Sequence, residues 1–419
     1  MSILLDKSEP AIRRAIKTVA VGKRGSKPLE PELITELLQE LSKKETPPAA
    51  LGAFAGALIL KGVTPEESAL ENFFGTGVLS NPELLIRTVA DDAPVDIQKI
   101  CAFLLKGENL DQATAYRLGQ FLLSNQPGDG ARGLAASILR VRYETADEYQ
   151  GLLCAMEETL EKSFRTAPPA GDPVLQFSEP FDGVDHSFMI TPLLAAHFQK
   201  RGYRAITMVG RNSGPKLEMN LLDIVQAMGI ECAQGNAALG QPKPEYGWFF
   251  NQEDLSGAVN RWVDLRRQII KRPFLATLEK FLNPAKARII ITSAFHPPYN
   301  EKMITVAERA GFPGAVVIRN GIEGTMAFAL KRAVKIMCSA RQADGTYLRH
   351  EFEIDPERLL TVDVPVEEKL EQISAEENAR LITAFQNSGK SGNLLFDERV
   401  RITRLGIEQA LQWLEMSIQ

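Results

Sequence analysis

The sequence has little of the chemistry that reveals itself by spacing. Its 419 residues include four cysteines, Cys101, Cys154, Cys232 and Cys338, dozens of residues apart and without a C-x-x-C pair. That scatter argues against a disulfide framework and a zinc ribbon, and fits a reducing cytoplasm. Four histidines complete no zinc-ligand spacing. There is no P-loop, no G-x-G-x-x-G and no G-x-S-x-G elbow, so neither a standard nucleotide cradle nor an acyl-transfer triad is expected. No apolar run reaches the length of a membrane span. The N-terminal stretch lacks the continuous apolar core of a secretory signal, so a cytoplasmic protein without membrane contact is expected.

Composition is otherwise that of a folded protein: 44% hydrophobic and 24% charged, with a net charge of −5. The total hides an asymmetry. Residues 196–343 hold 21 Lys and Arg against 11 Asp and Glu, a balance of +10, and the remainder holds 27 against 42, or −15. A basic middle in an acidic chain points to a polyanionic ligand or partner.

The first 165 residues read as helical, with leucines such as Leu33, Leu37 and Leu41 at helical spacing. They also contain a repeat. Shifted by 81 residues, the segment from Leu29 aligns without a gap on the segment from Leu110. Leu37/Leu118, Leu41/Leu122, Gly52/Gly133, Ala55/Ala136, Leu58/Leu139 and Thr64/Thr145 coincide, and TPEE matches TADE as a helix start. TAPPAGDP (166–173) reads as a linker. Beyond it, β-rich runs alternate with helical stretches: PVLQF with TPLLAAHFQKRG, RAITMV with LEMNLLDIVQAMG, ARIIIT with NEKMITVAERAG, and GAVVIR with GTMAFAL. This predicts an α/β fold, a mainly parallel sheet covered by helices and preceded by an apparently duplicated helical domain. Residues 252–284 interrupt the alternation as a helical insertion, expected near the N-terminal helices.

In such a sheet, ligands bind in the loops after the strands. The loop SEPFDGVDHSFMITP (178–192) offers Asp182-Gly183 as a turn, then Ser187 and Thr191, with Thr191-Pro192 opening a helix whose N-terminus suits phosphate; a plain β-α turn fits it too. VGRNSGPK (209–216) supplies Arg211, Asn212 and Lys216, as a phosphate contact or a solvated loop. Arg261, Arg266, Arg267, Lys271 and Arg272 crowd the helical insertion, as a polyanion surface or a solvated face. His296 stands in a Pro turn. Glu323, between Gly321 and Gly324, is the candidate ligand for Mg²⁺ through a phosphate-bound assembly.

The order of these segments resembles the anthranilate phosphoribosyltransferase family. KGENLDQATAYRLGQFLLSNQPGDGARGLAASILRVRYETADEYQGLLCAM is similar to the family's helical module. This makes 1–95 an added copy, 96–165 the family module and 174–419 the α/β domain. The family's loop, roughly GTGGDGxxTFNIST, corresponds to SEPFDGVDHSFMITP, which keeps Asp182-Gly183, Ser187 and Thr191 but has Pro180 and Phe181 in place of glycines. KHGNR corresponds to VGRNS, which keeps Asn212. The metal-binding Asp-Glu pair falls on Glu323-Gly324. RRQIIKRPFLATLEKFLNP keeps Arg266, which matches the arginine associated with the anthranilate carboxylate, and Arg272. The resemblance implies Mg²⁺-dependent transfer of phosphoribosyl from phosphoribosyl pyrophosphate to an aromatic or nitrogen acceptor, in a homodimer. The altered loops look closest to a divergent subgroup associated with nucleic-acid binding. That leaves a second expectation: a non-catalytic protein that takes single-stranded nucleic acid or another polyanion.

Overall fold

The computed structural model describes residues 8–22, 25–212, 219–295, 299–319, 322–364 and 370–419. The chain divides into two compact units. One comprises the residues up to Met156 together with Arg261–Leu275; the other runs from Glu157 to Asn260, apart from a short loop, and from Ala276 to Gln419.

The first unit is helical: α1 (Ala11–Val19), α2 (Pro31–Ser42), α3 (Pro48–Lys61), α4 (Glu71–Phe74), α5 (Pro82–Val89), α6 (Val95–Leu105), α7 (Gln112–Leu123), α8 (Asp129–Arg142) and α9 (Ala146–Glu157). The repeat is visible in the boundaries. Adding 81 to the limits of α2 and α3 returns the limits of α7 and α8. Each copy closes around one buried glutamate. Glu67 accepts the N–H of Leu29 at 2.9 Å and of Thr64 at 2.9 Å, and meets Lys61 Nζ at 2.7 Å. Glu148 accepts the N–H of Leu110 at 2.9 Å and of Thr145 at 2.8 Å, and meets the guanidinium of Arg142. Each partner in one copy lies 81 residues from its counterpart in the other. In both, the threonine hydroxyl accepts the glutamate's own N–H, which completes a capping box. A carboxylate with no exposed surface needs this company, because a buried charge is tolerated only when paired and hydrogen-bonded.

The second unit is built on a seven-stranded sheet: β1 (Val174–Ser178), β2 (Arg204–Val209), β3 (Trp248–Asn251), β4 (Ile289–Ala294), β5 (Gly314–Arg319), β6 (Val334–Arg341) and β7 (Tyr347–Ile354). The order is β3-β2-β1-β4-β5-β6-β7. The first five strands are parallel, and β6 and β7 add an antiparallel edge. β1, β2 and β4 are buried along their whole length, as a sheet covered on both faces requires. From β1 the chain moves one way to β2 and β3, and the other way to β4 and β5. That reversal between β1 and β4 opens a crevice at the strands' carboxyl ends.

Two expectations change here. GTMAFAL (324–330) is not helical. It is a buried irregular segment whose backbone is satisfied from outside: Met326 N–H donates to Glu179 and Phe328 N–H to the Thr403 hydroxyl. Of the predicted insertion, only Arg261–Leu275 groups with the helical unit.

Candidate functional site

The loop after β1 and the loop after β5 come together at the switch point. Gly183 turns the first loop at φ +83°, a value that favours glycine, and Asp182 beside it is buried. The N–H groups of Asp185 and His186 then donate to one carboxylate oxygen, Glu323 Oε2, at 3.0 and 2.7 Å. The Ser187 hydroxyl lies 3.1 Å from that of Thr325. Asn378 locks the loop's far end, donating to Met189 O at 2.9 Å and accepting its N–H at 3.1 Å. The loop then passes into the helix Thr191–Lys200, which has Pro192 in its first turn and Thr191 fully buried. Four of the predicted phosphate-binding residues, Asp182, Gly183, Ser187 and Thr191, are thus held on one ordered loop, with Glu323 fastened to its middle.

Glu323 has φ +49°, in the left-handed region that an ordinary side chain enters at a cost. Two amide N–H groups on one oxygen are a reason for the backbone to hold it there. The same geometry bears on magnesium. A hard cation needs several oxygen ligands, yet Oε2 is engaged by amides and the next residue is Gly324. Among the described residues no group of three or more His, Cys, Asp or Glu is placed to hold a metal. Glu323 is one carboxylate, and Mg²⁺ is commonly held by one or two carboxylates together with substrate phosphates.

One residue was missed by sequence reasoning. Glu179, the first residue after β1, is buried and accepts Met326 N–H at 2.6 Å through Oε1, while Oε2 has no hydrogen-bond partner among the described residues. Burial pushes its carboxyl up to about 7, against the opposing pull of that N–H and of the nearby Thr191 hydroxyl. A buried acid of this kind at the carboxyl end of a central strand marks a functional-site candidate.

The remaining predicted residues lie elsewhere. Arg211 belongs to the α/β unit, where its guanidinium donates to the side-chain oxygen of Asn260 at 2.9 Å and to its carbonyl at 3.0 Å. Asn212 is half-buried at the end of the described part of its loop. Lys216 and His296 lie outside the described residues. Arg266, Arg267, Lys271 and Arg272 all fall in the helical unit. Arg266 is buried, and Arg267 and Arg272 are exposed. Lys271 Nζ donates to Lys17 O at 3.2 Å; burial, helped by the charges of Arg140 and Lys17, lowers its ammonium to about 8. Of these described basic residues, four thus fall in the helical unit and Arg211 in the α/β unit.

Comparison with solved structures settles the architecture. The chain matches anthranilate phosphoribosyltransferase from Thermus thermophilus with a TM-score of 0.55 at 19% identity, over 76% of this chain and 97% of that one. It matches the Saccharomyces cerevisiae anthranilate phosphoribosyltransferase in complex with PRPP and Mg with a TM-score of 0.56 at 13% identity, over 78% and 98%.

The fold is that of the anthranilate phosphoribosyltransferases.

By sequence, the chain is 23% identical over 237 residues to anthranilate phosphoribosyltransferase of Geobacillus stearothermophilus, covering 54% of this chain and 66% of that one. To the Myxococcus xanthus anthranilate phosphoribosyltransferase it is 24% identical over 277 residues, 66% and 78% of the two chains. An uncharacterized protein of Aquifex aeolicus is 24% identical over 217 residues, 52% of this chain and 64% of that one. Two of these matches therefore span just under two-thirds of the relative's length. No family model matches.

Against the loop pattern quoted for anthranilate phosphoribosyltransferases, the altered positions are filled by packed side chains. Phe181 is buried, and its ring lies where a Cβ on Gly210 would come within 2.8 Å of it. The bulk that replaced a loop glycine is accommodated by a glycine on the facing loop.

Proposed function

We propose that the α/β unit binds a phosphoribosyl pyrophosphate-type donor at the carboxyl ends of β1, β4 and β5 and transfers its phosphoribosyl group to an aromatic or other nitrogen acceptor. The observation that carries this reading is the joining of the Asp182–Thr191 loop to the Glu323 loop at the switch point of a phosphoribosyltransferase fold. The acceptor nitrogen attacks C1 of the ribose and the C1–oxygen bond to pyrophosphate breaks. The nitrogen sheds its proton, and the diphosphate leaves with the bonding pair. This chain's own contribution is to bind and orient. The N-terminus of the helix Thr191–Lys200 stabilises charge on the leaving diphosphate, with Ser187, Thr191 and Asn212 contacting the donor. Glu323 would hold Mg²⁺ together with the donor's phosphates, and the ion would offset charge on the leaving diphosphate.

Titration calorimetry with phosphoribosyl pyrophosphate and Mg²⁺ tests this. Saturable heat is expected in the native protein, and its loss in Gly183→Val, where φ +83° does not suit a β-branched residue. No heat from the native protein at high concentration overturns the reading.

A second reading, binding of single-stranded nucleic acid or another polyanion, draws on Arg266, Arg267, Lys271 and Arg272, which fall together in the helical unit. It requires an affinity that falls steeply with salt, since neutralised phosphates release counterions. No binding at low salt overturns it.

A further inference from the structure

The two helical copies meet in a way that tandem repeats do not require. Repeats in a solenoid stack head to tail, each offering one face to the unit before it and another to the unit after. Here α3 packs on α8, its own counterpart. The closest approaches exchange under the 81-residue shift. A Cβ added to Gly52 would fall inside the carbonyl of Gly130, and one added to Gly133 would fall inside the carbonyl of Ala49. Gly133 is the counterpart of Gly52, and Gly130 that of Ala49. Residue i of one copy touches j of the other, and j touches i. That reciprocity defines a twofold, self-complementary interface.

Each copy also stands complete behind this contact. α1 packs on α2 and α3 in the first, and α6 on α7 and α8 in the second. Each has its own buried glutamate, its own cation and its own capping box. What one module offers outward, along α3 or α8, the other module covers.

We propose that the helical unit is a dimer interface closed within one chain: its first module takes the place of a second copy, and the protein is a monomer. A second chain approaching α8 finds α3 already seated there, its backbone too close to admit an intruder. This departs from the homodimer that the family resemblance implies, and it gives the added N-terminal copy a role, that of an internal partner. It does not depend on any catalytic reading of the α/β unit.

Sedimentation equilibrium on the full chain tests the proposal. A single species of 46.3 kDa is expected at every loading concentration; a doubled mass overturns it. The reciprocity has its own test in the full-length variants Gly52→Ala and Gly133→Ala, each of which sets a methyl against a carbonyl oxygen of the facing helix. Matched falls in Tm are expected; a fall in one variant with none in the other overturns the twofold. The wild-type mass reads the proposal whether or not either variant folds.

Discussion

Both units bury glutamates, and they treat them differently. In the helical unit Glu67 and Glu148 are each met by a cation and by two N–H groups, one from the threonine that caps the glutamate's own helical turn and one from a leucine 38 residues away. In the α/β unit Glu179 has one N–H, the nearby Thr191 hydroxyl and no ion pair among the described residues, and its carboxyl is pushed up to about 7. A carboxylate kept for structure is saturated, since desolvation is otherwise uncompensated. Glu179 is the exception, and it stands at the sheet's switch point, where its fold binds ligands. The contrast separates carboxylates saturated by their partners from one whose carboxyl burial pushes up.

The largest expected effect comes from breaking the saturated side of this contrast. Glu148→Ala leaves the Arg142 guanidinium buried without its counter-charge, and should cost about 3–5 kcal/mol in chemical denaturation. A loss well below that range would mean that Glu148 is not a structural charge. Next comes Glu179. Its folded-state pKa lies above the ordinary glutamate value of 4.5, so the folded state holds the proton more tightly than the unfolded chain. Its contribution is complete below pH 4.5 and is lost as pH rises through about 7, with a slope of about 1.4 kcal/mol per pH unit between those values. Glu179→Gln should remove that slope, and an unchanged pH-stability profile would place Glu179 among ordinary carboxylates.

Glu323→Ala releases two amides from a charged acceptor and should cost about 1.5–3 kcal/mol. Hydrogen exchange at Asp185 and His186 should accelerate in that variant. Exchange no faster than in the native protein would show that the loop holds its shape without Glu323. The smallest effect concerns Lys271, whose pKa is lowered to about 8. Between about pH 8 and 10.5 the unfolded chain binds more protons there, so stability should rise with pH relative to Lys271→Met, by less than about 1.4 kcal/mol per unit.

What the sequence reveals follows the same division. RAITMV and GAVVIR coincide with β2 and β5, because strands buried on both faces leave continuous β-branched runs. β7, YLRHEFEI, is mostly exposed and charged, and with the four-residue β3 it carries too little apolar signal to be read. GTMAFAL is apolar and short, and its periodicity alone cannot tell a helix from a buried coil; the groups that decide it, Glu179 and Thr403, lie far away in the chain. The duplication is legible through small residues at a constant shift. The Lys61/Arg142 equivalence is hidden, because the two copies use different cations for one task. At the site, Asp182, Gly183, Ser187, Thr191 and Glu323 are legible from loop position. Glu179 is not, since one acidic residue after a strand forms no motif and its partner Met326 is 147 residues distant.

The pairing of α3 with α8 has a consequence for how the molecule can change. When two identical chains meet across an axis, every substitution appears on both sides at once, and a clash is doubled with it. Here the two sides are written separately. Ala49 stands opposite Gly133 while Gly130 stands opposite Gly52, and lysine serves one copy where arginine serves the other. One half of the helical unit is free to take on a new surface while the other keeps the old one.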